Sequence, residues 1–170
     1  MKKLLIVVDM QNDFVTGSLG SAEAVAILSN VTERLRLARE KGDTVVFTRD
    51  THFENYFETQ EGKKLPVLHC VKGTRGWEIA NGLYKENELV FDKPTFGSLE
   101  LAQFVKEEGF NEVELIGVCT DICVVSNALL IKAYCPEVKV MVSADCCAGV
   151  TKESHESALN TMASCQVEIL

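Results

Sequence analysis

Positive charge is in short supply in this chain. Seventeen lysines and arginines stand against 25 aspartates and glutamates, a net charge of −8 over 170 residues. A field of that sign repels phosphates and acidic lipid headgroups, which argues against nucleic acid and anionic membrane as partners. Long apolar runs are missing as well. The N-terminal run LLIVV is stopped by Asp9 before a signal-peptide core forms, and nothing approaches membrane-spanning length, so a cytoplasmic location is expected. The seven cysteines are odd in number and include no Cys-X-X-Cys spacing, so they indicate neither a disulfide framework nor a zinc ribbon. With only three prolines, 46% hydrophobic and 25% charged residues, the composition is that of a globular chain, read as one domain over residues 1–170.

What is present is an alternation. Residues 4–9, 44–49, 88–91, 113–118, 138–143 and 166–170 read as strands, mostly apolar without polar alternation, as strands covered on both faces must be. Residues 23–41, 99–108, 122–134 and 152–164 carry apolar residues at helical spacing, with Gly42 and Gly109 placed as helix stops. The pattern predicts an α/β fold, helices on both faces of a parallel sheet. Residues 50–87 break the rhythm and show no regular element; a loop of that length in a compact domain is usually functional.

Ligands of such sheets bind beyond the carboxyl ends of the strands, where strand order reverses. The polar residues at those ends are Asp9, Asp50, Lys93 and the turn from Cys119 to Cys123. Cys123, in GVCTDICV, falls in the first turn of a helix, where free N–H groups and the helix dipole favour a thiolate and an oxyanion. The alternative for Cys123 is a buried packing residue, and for Lys93 a surface lysine. Asp9 follows a continuous apolar run, so its carboxylate needs a partner. A cation nearby would steady both negative groups, while Asp9 could take the thiol proton and return it to a leaving group.

Taken together, VVDMQNDF, FTRDTH, LPVLHC, DKPTFGS, GVCTDICV and the closing DCCAGVTKESHESAL resemble the isochorismatase-like cysteine hydrolases over essentially the whole chain, and among them most resemble the nicotinamidases. The resemblance implies a three-layer αβα fold with a six-stranded parallel sheet in the order 3-2-1-4-5-6. It implies a catalytic triad of Asp9, Lys93 and Cys123, an oxyanion hole from the backbone N–H groups of Cys119 and Cys123, and a cis peptide between Val118 and Cys119. It also implies one divalent metal ion, zinc, iron or manganese, on Asp50, His52 and His69, with Glu61 as a fourth oxygen ligand. An Asp-X-His after a strand supports this set, because both side chains then point the same way. Relatives commonly form dimers or tetramers, so a homo-oligomer is expected.

The departures concern substrate. Where the nicotinamidases often carry a tryptophan ahead of the last metal-binding histidine, this chain reads Leu65-Pro66-Val67-Leu68; Phe14 matches the other aromatic wall, and Trp77 has no assigned place in the cleft. Hydrolysis of a small carboxamide, with nicotinamide to nicotinate and ammonia as the leading case, is the expected activity. Another small amide or carbamoyl substrate on the same triad, and a non-catalytic binding protein with this fold, are the competing readings. His155 is read as a solvated or capping residue, Cys146 and Cys147 as packing residues, and Gly17 to Gly20 as a loop without a phosphate-binding pattern.

Overall fold

The computed structural model describes residues 2–170. Its six strands, β1 (Lys3–Val8), β2 (Thr44–Asp50), β3 (Leu89–Lys93), β4 (Glu112–Val118), β5 (Lys139–Ala148) and β6 (Glu168–Ile169), form one sheet in the order β3-β2-β1-β4-β5-β6. Every ladder is parallel. Seven helices connect them: α1 (Asn12–Val15), α2 (Ala22–Ala26), α3 (Leu28–Lys41), α4 (Gln60–Lys64), α5 (Leu99–Glu108), α6 (Val125–Tyr134) and α7 (Lys152–Ser164). The sheet order anticipated from the resemblance is the one observed.

Burial of β1 on both faces follows from its sequence. Successive side chains of a strand point to opposite faces, so Leu4, Ile6 and Val8 pack with Leu101, Val105, Ile131 and Met162 of α5, α6 and α7. Leu5 and Val7 pack on the other side with Val31, Leu35 and Ala38 of α3. Chain order reverses beside β1, which is flanked by β2 on one side and β4 on the other. The crevice therefore opens at their carboxyl ends.

Three expectations need correction. The helix read over residues 23–41 is two helices meeting at Ile27, because they serve different surfaces: Ser21 and Ala24 line the cleft, whereas α3 lies against the sheet. The stretch 50–87 is not wholly irregular. It holds a 3-10 turn (Tyr56–Glu58) and α4, whose cap is Thr59 Oγ1 accepting from Gly62 N–H at 3.0 Å; elements this short carry no periodic signal. Strand β5 runs five residues past the expected end at 143, with a register shift against β4 between Leu115 and Gly117. Among the described residues no helix is long and apolar enough to cross a membrane.

Candidate active site

Asp9 is the first residue after β1, and the chain turns there through a left-handed conformation, φ 48°. An L-residue adopts that region only when its surroundings over-determine it. Here they do: Asp9 is completely buried, its Oδ1 accepts from Thr48 Oγ1 at 2.6 Å, and its Oδ2 lies 2.6 Å from Lys93 Nζ. Lys93, the last residue of β3, is itself 1% exposed; its ammonium also donates to Thr95 O at 3.2 Å and to Cys123 Sγ at 3.4 Å. Burial alone would lower the Lys93 pKa, but its acidic neighbours, Asp9 first and then Cys123 and Asp50, raise it above the ordinary value, so the ammonium keeps its proton. Burial makes Asp9 more basic than an ordinary carboxylate, against the pull of Lys93.

The turn that carries Cys123 follows a cis peptide between Val118 and Cys119 and is π-helical over Thr120–Val124 before α6 begins. Contrary to the expectation from its helix-start position, the Cys123 thiol is pushed well above its ordinary pKa, first by burial and then by Asp9, while Lys93 works to lower it. In this arrangement the group is a thiol facing a base rather than a standing thiolate. The buried carboxamide of Asn127 holds the turn in place: Nδ2 donates to Cys123 O at 2.8 Å and to Phe96 O at 3.1 Å, and Oδ1 accepts from Ser98 N–H at 3.0 Å. His155 is not merely a solvated or capping residue. Its Nδ1 pairs with Oγ1 of the buried Thr120 at 2.7 Å, which ties α7 to the same turn.

Beside this group lie Asp50, His52, Glu61 and His69, each offering one ligand atom, all within 4.8 Å of one another. Asp50 Oδ2 is 2.9 Å from His52 Nε2 and 3.4 Å from His69 Nε2, and Glu61 Oε1 is 3.7 and 3.9 Å from the same two nitrogens. His69 Nδ1 donates to Val67 O at 2.7 Å, which leaves Nε2 to face the cluster with its lone pair. Asp50 Oδ1 is buried and accepts no hydrogen bond; Lys93 Nζ lies 3.6 Å from it. Burial would raise Asp50, but the adjoining imidazoles of His52 and His69, with Lys93 behind them, hold it well below the ordinary carboxylate range, whereas burial and the neighbouring Asp50 raise Glu61. Two imidazoles and two crowded carboxylates, one with an orphaned oxygen, fit a divalent ion.

Cys123 and the four residues of the cluster line one cavity of about 610 Å³, with Asp9 and Lys93 buried behind the thiol. Phe14 lines it and meets His69 edge-on at 5.6 Å, and Leu65 lines it where an aromatic ring was absent from the sequence. Trp77 is held elsewhere, its ring under the Arg49 guanidinium at 3.5 Å and its Nε1 donating to Thr51 Oγ1 at 2.9 Å. Cys146 and Cys147 are buried in β5. Four supporting residues escaped the sequence reading: Gln11, Asp13, Thr48 and Asn127. Asp13 Oδ2 accepts from Cys70 N–H at 2.8 Å, next to His69. A polar residue inside an apolar helix, one turn after Cys123, was the available signal for Asn127; Gln11 and Asp13 sat in the motif VVDMQNDF.

A wholly parallel sheet with helices on both faces and a cysteine turn at its switch point defines a protein of the three-layer α/β class. The chain belongs to the isochorismatase family, whose Isochorismatase domain matches residues 3–170. It is 31% identical to an uncharacterized isochorismatase family protein of Bacillus subtilis, over 96% of each chain. It is 28% identical to the nicotinamidase/pyrazinamidase of Mycobacterium tuberculosis, over 99% of this chain and 98% of that one. Its fold matches the crystal structure of the pyrazinamidase of Pyrococcus horikoshii in complex with zinc at a TM-score of 0.88, with 32% identity, covering 100% of this chain and 99% of that one. By fold and family the protein is a hydrolase acting on non-peptide C–N bonds.

Proposed function

We propose that the protein hydrolyses a small carboxamide through a Cys123 thioester, with nicotinamide as the leading substrate. The observation that carries this reading is a single buried ammonium, that of Lys93, placed 2.6 Å from a carboxylate and 3.4 Å from a thiol at the floor of the cavity. Cys123 Sγ attacks the carbonyl carbon as its proton passes to Asp9, whose basicity burial has increased. The backbone N–H groups of Cys119 and Cys123 take the oxyanion. Asp9 then gives the proton to the departing nitrogen, ammonia leaves, and a water that Asp9 deprotonates cleaves the thioester and restores the thiol. Lys93 keeps its charge throughout and balances whichever of its two neighbours is anionic.

Asp50, His52, His69 and Glu61 would hold a divalent ion, zinc, iron or manganese, which when bound supplies a Lewis-acidic anchor for a ring nitrogen or a water. A second reading, another small amide or a carbamoyl compound on the same residues, is favoured by Leu65 in the cavity wall and by Trp77 lying outside it. The test is ammonia release from nicotinamide by zinc-loaded protein, run beside Cys123→Ala. Turnover that disappears in the variant supports the reading. Turnover that persists in the variant removes the thioester, and none in the wild type moves the search to other amides and carbamoyl compounds.

A further inference from the structure

The ladder between β1 and β2 ends at the pair Val7–Phe47, because the left-handed turn at Asp9 carries the chain away from the sheet. Asp50 lies beyond that last pair, and its backbone on the β1 side should be left without partners. A side chain fills the gap. Gln11 Oε1 accepts from Asp50 N–H at 2.7 Å and Gln11 Nε2 donates to Asp50 O at 2.9 Å, so one carboxamide reproduces both bonds of a ladder rung. Its other Nε2 proton goes to Trp77 O at 2.9 Å. Gln11 is completely buried and held at its own backbone, where its N–H donates to Asp9 O at 2.7 Å.

We propose that Gln11 is a positioning residue for the metal centre. Its carboxamide fixes the backbone of Asp50 so that one carboxylate oxygen faces His52 and His69 while the other faces Lys93. Gln11 touches no ligand atom of the cluster and acts only through Asp50. The inference rests on the metal reading of that cluster and not on the choice of amide. A buried glutamine that only satisfied polar groups would support folding without affecting metal affinity. Asn12 provides the contrast, since its Nδ2 donates to Arg75 O at 2.8 Å on the same long loop and makes no bond to Asp50.

The experiment measures zinc affinity of the full chain by competition with a chromophoric chelator, with Tm recorded alongside. Gln11→Met keeps the bulk and removes both functions of the carboxamide; its zinc affinity should fall by about 10–100-fold, the usual effect of losing a residue that orients a ligand. Asn12→Ala should lower Tm and leave zinc affinity within about twofold, since it leaves every ligand and its support intact. Wild-type affinity in folded Gln11→Met would overturn the proposal. Should that variant fail to fold, Gln11→Asn, too short to span both groups of Asp50, is read by the same criterion. A wild type that binds no zinc, iron or manganese would overturn the metal reading and this inference with it, while ammonia release tests the amide reading independently.

Discussion

Truncating Asn127 would take their side-chain partner from three backbone groups: the buried Ser98 N–H and the carbonyls of Phe96 and Cys123. Each such group costs about 1–3 kcal/mol when unsatisfied, and local relaxation recovers part of it, so Asn127→Ala should destabilise the fold by about 2–4 kcal/mol. Urea unfolding measures the loss, and kcat should fall in the fraction that stays folded. Thiol chemistry gives a second prediction at this scale. Burial, with Asp121 and Asp9, pushes Cys119 up to about 12, so its thiolate is scarce at pH 8 and accumulates only as pH climbs toward that value. Cys165, by contrast, is exposed. Mass spectrometry after brief iodoacetamide treatment at pH 8 should find Cys165 labelled and Cys119 unlabelled, with Cys119 labelling rising as pH increases. The sequence exposed the charged residues at strand ends because a carboxylate after five apolar residues has no other explanation. It hid Thr48 and Asn127, whose importance lies in what they touch. It misled about the Cys123 thiol, because helix-start position is visible in sequence and depth of burial is not.

At the scale of elements, β1 and β4 approach so closely that a Cβ on Gly117 would sit 2.2 Å from the carbonyl oxygen of Val8, in a backbone with φ 118°. Close approach and left-handed φ each cost about 1–3 kcal/mol, so Gly117→Ala should lose roughly 4 kcal/mol. The damage should extend to Asp9 and the Cys119 turn, the next residues along each strand. Denaturant melts with activity measured on the remaining folded protein would show both effects. Long elements were legible because burial on two faces forces continuous apolar strands and sandwiched helices their spacing. The short ones were not: α4 and the 3-10 turn before it owe their form to the Thr59 cap and to a close contact at Gly62, where a Cβ would lie 2.1 Å from Tyr56 O. The far half of β5 is hidden for a related reason, since Ser143 and Asp145 interrupt its apolar run.

On the scale of the whole molecule, metal occupancy and stability should be linked, because the Asp50 and Glu61 carboxylates crowd one another within the cluster. A ligand present at about 100 times its Kd adds about 2.7 kcal/mol. For a chain of this size, chelation should therefore lower Tm by roughly 5–10 °C; an unchanged Tm would mean the ion contributes little to the fold. The same experiment has a built-in optical readout. Trp77 is the only tryptophan of the chain; its carbonyl is bonded to Gln11 and its indole N–H to Thr51, one on each side of Asp50 in the hydrogen-bond network. All indole fluorescence of the molecule thus originates within two hydrogen bonds of Asp50, so emission recorded during a zinc titration reports on the surroundings of that residue, with no dye attached.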